Sequence, residues 1–91
     1  MQVSIRGSFY RDWKQIRNKA LSKRLLEKLE EMQSANNIHK ISHLKKLRIY
    51  STRYKVEMKV GRKVYWVLCA IRQNNIELLR LKPESYFKKK L

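Results

Sequence analysis

In the stretch RYKVEMKVGRK, Arg53 to Lys63, every second position from Arg53 to Lys59 is charged. Arg53, Lys55, Glu57 and Lys59 alternate with Tyr54, Val56, Met58 and Val60. In a β-strand that period of two sends the apolar set to a core and the charged set to the opposite face. The outward cations would then stand roughly 7 Å apart in a rigid row, a spacing suited to the backbone of an extended nucleic acid. Metal-free RNA cleavage needs a base for the 2′-OH proton, cations for the pentavalent phosphorane and an acid for the leaving 5′ oxygen. Lysines and arginines fill the second role, and a lysine crowded by like charges has a lowered pKa that suits the first. Glu57, with Lys55 and Lys59 two residues to either side, could serve as the base instead, or could pair with a cross-strand arginine.

Other reactive groupings are sparse. His39 and His43 are four apart, a metal-ligand spacing on a helix, but without neighbouring cysteines and with few acids they read as a polar loop pair; no metal and no cofactor is expected. The single Cys69 lies inside the apolar run VYWVLCAI and reads as a small buried hydrophobe. With no intrachain disulfide possible, a reducing cytoplasm is the expected compartment. Arg6 and Arg11 interrupt any signal-peptide core, and the apolar run Val64 to Ile71 is too short to span a membrane. Lys88, Lys89 and Lys90 read as a disordered basic tail.

The chain carries 23 Lys plus Arg against 7 Asp plus Glu, a formal charge of +16 over 91 residues. Such a surface repels itself and is drawn to nucleic acid or to an acidic partner. Basic arms and tails share that charge but lack apolar periodicity. Here 43% of residues are hydrophobic, with two Gly and one Pro, which indicates one folded domain over residues 1–91.

Those residues must be positioned by the rest of the chain. Val3 and Ile5 alternate with polar neighbours in a short first strand ended by Gly7. Ser8 is a candidate helix N-cap, with Asp12 in the first turns where an acid offsets the macrodipole. Phe9, Trp13 and Ile16 follow at helical spacing, and Asn18 can cap a second helix with the stripe Leu21, Leu25, Leu29 and Met32. Glu27 and Glu31, with Lys23 and Lys28, read as solvated helix surface. Ile38 to Leu47 reads as a loop or a short helical turn. Arg48 to Val60 reads as one long strand, broken or bulged near Ser51 and Thr52. Gly61-Arg62 turns the chain into Lys63 to Arg72, and Gln73-Asn74-Asn75 turns it into Ile76 to Leu81, stopped by Pro83.

The order β-α-α-β-β-β predicts an α+β fold, with two N-terminal helices packed on one face of a mostly antiparallel sheet. The strand from Lys63 is apolar on both faces, as in a central strand covered on both sides. Two helices cover one face; the other needs a terminal segment, a partner chain, or a nucleic acid stacked on Tyr65 or Trp66.

This arrangement, with H-L-K-K-L at 43–47, Y-K-V-E-M-K at 54–59, a hairpin, and a last strand leading into R-L-K-P-E-S-Y at 80–86, resembles the RelE/ParE superfamily of toxins from bacterial toxin–antitoxin modules. The resemblance covers nearly the whole chain in order and length, as a pattern and not as one specific motif. RelE-like members are ribosome-dependent ribonucleases that cut messenger RNA in the decoding site. ParE-like members share the fold and poison DNA gyrase.

The resemblance implies catalytic roles for Lys55, at the lysine of the family's Tyr-Lys-hydrophobic pattern, for Arg80 near the arginine that ends the last strand, and for Tyr86 at the C-terminal tyrosine. The family's next lysine falls at Glu57, and Arg62 or Lys63 lies near its hairpin arginine without the usual Tyr-Arg order. Arg53, Lys59, Arg62, Lys63 and Lys82 are the expected RNA-binding residues. The implied activity is a metal-independent endoribonuclease acting on ribosome-bound messenger RNA and inhibiting translation, with an acidic antitoxin and the ribosome as partners. The alternatives are a ParE-like gyrase inhibitor or a basic nucleic-acid-binding module. Lys55 and Arg80 could equally be solvated surface residues, and Tyr86 an amphipathic lid over the sheet edge.

Overall fold

Where Val3 and Ile5 alternate with Gln2 and Ser4, the backbone is extended as β1 (Gln2–Ile5). In the computed structural model, which describes residues 1–48 and 51–90 with side chains as far as Lys88, β1 runs straight into α1 (Gly7–Ile16). Arg17 turns the chain in the left-handed region at φ 48°. The Asn18 side chain then accepts from the Leu21 N–H at 3.0 Å and starts α2 (Lys19–Ser34). A 3₁₀ turn at Ile38–Lys40 leads to the short strand β2 (Leu44–Lys46). The meander β3 (Arg53–Val60), β4 (Lys63–Arg72) and β5 (Asn75–Pro83) follows, and α3 (Glu84–Lys90) closes the chain.

The five strands form one mixed sheet in the order β1-β5-β4-β3-β2, with β1 parallel to β5 and the other pairs antiparallel. This α+β architecture puts β4 in the middle, as its two apolar faces require. α1 packs on β5, and α2 on β1 and β3. Beneath them lie Phe9, Leu21, Leu25 and Met32 from the helices and Val56, Met58, Tyr65, Val67, Cys69, Ile76, Leu78 and Leu81 from the sheet. Burial pushes the Cys69 thiol up to about 12, so this cysteine packs as a hydrophobe and is not a nucleophile at neutral pH.

Several expectations are corrected. The order is not β-α-α-β-β-β alone: Ile38 to Leu47 holds a 3₁₀ turn and an edge strand, and a third helix follows β5. Of the long strand expected from Arg48 to Val60, Arg53–Val60 is strand, while residues 49 and 50 lie outside the described residues. Lys88, Lys89 and Lys90 belong to α3, because Pro83 ends the ladder and the Glu84–Lys88 pair spans the first turn of a new helix. Ser8 is not a cap. β1 feeds α1 without a capping side chain at Arg6, and the Ser8 hydroxyl instead donates to the Leu79 carbonyl at 2.7 Å. Nor are Lys28 and Glu31 merely solvated, since both bind Ser42 and fasten the approach to β2 onto α2.

α3 settles what covers the second face. It lies against β4 and β5, and the Phe87 ring stacks on Trp66 at 5.1 Å between centroids. Tyr65 and Trp66 are each 5% exposed, Tyr65 on the α1–α2 side and Trp66 beneath α3, so neither offers a face to a stacking base.

Neighbouring leucines on α2 give a direct check of this packing. Leu25 is fully buried, whereas Leu26 is 53% exposed. In urea denaturation Leu25→Ala should cost about 2–5 kcal/mol, and Leu26→Ala less than about 0.5 kcal/mol. Similar losses from both would mean that α2 presents a different face to the sheet.

Candidate functional site

The period-two row stands as expected on β3. Arg53, Lys55, Glu57 and Lys59 pair with Ala70, Leu68, Trp66 and Val64 of β4, all on the face covered in part by α3. Reaching the same face from β5 requires an irregularity. Leu68 pairs with Arg80 but Cys69 pairs with Leu78, so Leu79 is an extra residue, a bulge. Without it, strict alternation from Ile76 and Leu78 would point Arg80 into the core. The bulge lets Leu78 and Leu81 both face the core while Arg80 and Lys82 emerge beside Leu68 and Trp66.

Two charged groups result, separated by β4. In the first, the Lys55 ammonium lies 3.1 Å from Glu57 and 3.6 Å from the centre of the Trp66 ring, a close cation–π contact. Lys45, opposite Lys55 on β2, reaches Glu57 at 3.6 Å. The hydrogen bond from Lys55, above all, holds the Glu57 carboxyl below its ordinary value, so it is ionised at neutral pH. Lys55 therefore sits beside an acid and an aromatic face, not in a crowd of cations. The Trp66 indole N–H in turn donates to Glu84 at the start of α3 at 3.2 Å.

The second group is built on Asp12, an acid 3% exposed in the middle of α1. Its carboxylate accepts from both arms of the Arg80 guanidinium at 2.8 and 3.2 Å, from the Leu81 N–H at 2.9 Å, and lies 3.3 Å from the Lys82 ammonium. Burial alone would raise the Asp12 carboxyl, but Arg80, Leu81 and Lys82 outweigh it and hold the group below the usual carboxylate range. Arg80 is raised in return, chiefly by Asp12, with Tyr86 adding. The Tyr86 ring on α3 lies 5.8 Å from the Arg80 guanidinium and 5.2 Å from the Lys82 ammonium.

The structure thus joins Arg80, Lys82 and Tyr86 into one cluster, and Lys55 with Glu57 into another. The two stand on strands two ladder spacings apart, about 10 Å. Arg53 lies one step farther along the row and Lys59 at its hairpin end, both exposed. Arg62 is in the exposed turn. Lys63 pairs with Val60 and by register belongs to the helix side, so it does not extend the cation row.

Asp12 was read as a dipole-compensating acid and is corrected to a buried counter-ion. Its signal was legible, because position 12 falls on the Phe9, Trp13 and Ile16 face at i+3 from Phe9. Among the described residues, no three His, Cys, Asp or Glu side chains are grouped so as to hold a metal ion, and no helix is long and apolar enough to cross a membrane. No family model, no curated protein and no solved structure matches this chain.

Asp12→Asn keeps the shape and an acceptor for Leu81 but removes the charge facing Arg80 and Lys82. It should lower stability at pH 7 by about 1–3 kcal/mol. Because the folded-state value is depressed, this contribution is present above the ordinary value near 3.8 and fades as pH falls through the lower one. Urea midpoints for both proteins should therefore differ at pH 7 and converge in acid. A constant gap would show that the Asp12 charge is not what stabilises this edge.

Proposed function

We propose that this chain is a RelE-like toxin, a metal-independent endoribonuclease that acts on ribosome-bound messenger RNA in the cytoplasm and is neutralised by an acidic antitoxin. The observation that carries the reading is the Asp12-anchored pair of Arg80 and Lys82 beneath Tyr86. Two cations and a phenol are held together at the rim of an otherwise cationic sheet face, in an orientation that a buried carboxylate fixes before any substrate arrives. Preorganised cations of this kind stabilise the charge that develops on a phosphorane. In this reading Glu57, ionised beside Lys55, is the carboxylate available on the same face to accept the 2′-OH proton. Tyr86, held beside Arg80 and Lys82, is the phenol placed to protonate the leaving oxygen. The placing of α1 and α2 between β1 and the meander, with a mostly antiparallel sheet, supports the reading drawn from the family resemblance. The charge of +16 supports both an RNA target and an acidic inhibitor.

One observation favours a second reading, in which the same fold binds without cutting, as a ParE-like gyrase inhibitor would. Each cation proposed for catalysis already has an internal carboxylate, Glu57 for Lys55 and Asp12 for Arg80.

Primer extension on translated messages after induction separates the two. Discrete cuts support the ribonuclease; intact RNA with a DNA-damage response supports the gyrase reading. Lys55→Gln, Arg80→Gln and Tyr86→Phe should each reduce cleavage on the order of 10²–10³-fold. Circular dichroism and urea midpoint should be unchanged for Lys55→Gln and Tyr86→Phe, whereas Arg80→Gln, which takes the main counter-charge from Asp12, should also lower the urea midpoint. Full cleavage by all three folded variants would place the active centre elsewhere.

A further inference from the structure

The face that α3 covers is not covered throughout. Beyond Leu68 the side chains of β4 shrink to Ala70, and the sheet opens into a polar recess of about 370 Å³ lined by Ser4, Arg6, Arg53, Arg72, Asn75 and Glu77 around that alanine. The strand register fixes its layout. Arg53, Ala70, Glu77 and Ser4 form one row across four strands, and Arg72 lies two residues farther along β4 on the same face. Arg6 is tied to Glu77 at 3.1 Å, the single carboxylate among the lining residues. Arg53 and Arg72 have no carboxylate within ion-pairing distance among the described residues, and both are exposed. This sets them apart from Lys55, Arg80 and Lys82, whose charges are met internally.

We propose that this recess binds a second phosphodiester of the same RNA strand whose scissile phosphate lies at the Arg80–Lys82–Tyr86 cluster. The proposal rests on the ribonuclease reading of that cluster. Three features favour a polynucleotide over an isolated anion. The recess is continuous with the Lys55–Leu68–Arg80 row, since Arg53 and Lys55 are successive outward residues of β3, about 7 Å apart. That rise is comparable to the step between neighbouring phosphates of an extended strand. Its cations are arginines, whose planar forks bind phosphate oxygens in pairs. Finally, an alanine floor lets a bulky backbone descend between guanidiniums that a larger side chain would hold off.

Salt dependence reads the contact directly, because each phosphate contact adds about 0.7 to the slope of log affinity against log salt for single strands. The probe is a ten-nucleotide 2′-O-methyl oligouridylate, which lacks the attacking hydroxyl and so reports binding without cleavage. Arg53→Gln/Arg72→Gln should lower the slope by about 0.7 and weaken binding. Glu77→Gln, which removes the one carboxylate of the recess, should strengthen it. Lys23→Gln/Arg24→Gln takes the same two charges from the exposed surface of α2 and should leave the slope unchanged.

An unaltered slope in Arg53→Gln/Arg72→Gln, or an equal drop in the α2 control, overturns the subsite even where primer extension shows cleavage. Loss of binding to a polyglutamate peptide with the RNA slope intact would reassign the recess to an acidic protein and overturn it likewise. Absence of cleavage with a normal slope change retains the recess as an RNA site and removes only the catalytic reading.

Discussion

Past Ile5, where β1 leaves the sheet, β5 would show its Leu81 N–H on an open edge, and the Asp12 carboxylate is what meets it. α1 takes over from β1 as the neighbour of β5. The Arg6 N–H reaches the Leu78 carbonyl, the Ser8 hydroxyl reaches Leu79, and Asp12 accepts from Leu81. A buried carboxylate left alone there would carry a large desolvation cost. Arg80 and Lys82 remove it by supplying charge from the other side of the strand. The same contact therefore ends the parallel ladder, seats α1 and fixes two cations at the rim of the open face.

That arrangement depends on the bulge at Leu79. β5 has to offer Ile76, Leu78 and Leu81 to one core and Arg80 and Lys82 to the opposite face, which a regular strand with a period of two cannot do. One extra residue resets the phase between Leu78 and Arg80. Bulges re-aim side chains, and here the re-aimed residue is the one the resemblance implies to be catalytic.

Charge is distributed unevenly as a consequence. With seven acids against 23 cations, there are far too few carboxylates to match the positive side chains one for one. The acids that fold close to the sheet are placed with care: Asp12 under Arg80 and Lys82, Glu57 between Lys45 and Lys55, and Glu77 beside Arg6. α3 adds a carboxylate at Glu84 for the Trp66 indole and the Phe87 ring for its face, so the aromatic center of the sheet is sealed while the cations around it stay at the surface. What remains open is a polar rim, a mostly apolar cleft of about 340 Å³ beside Leu68 and Phe87, and the arginine recess at the far end.

The amino-acid sequence determined the elements whose cause is local. Asn18 caps α2 because its side chain reaches an N–H three residues on, the stripe from Leu21 to Met32 buries one helical face, and Arg53 to Val60 alternates because a strand must. The double-sided apolar run of β4 announced a central strand. Tertiary structure alone decided the rest, because those features arise between distant residues. Whether Asp12 offsets a dipole or anchors Arg80, 68 positions away, depends on where β5 lies. The face of Arg80 depends on a bulge that lets Leu78 and Leu81 both reach the core, and such a bulge has no composition of its own. α3 forms because Trp66 needs a cover, and Phe87 and Glu84 supply it only once β4 and β5 are paired. Local spacing wrote the cation row; long-range pairing chose which of its members are neutralised and which remain free.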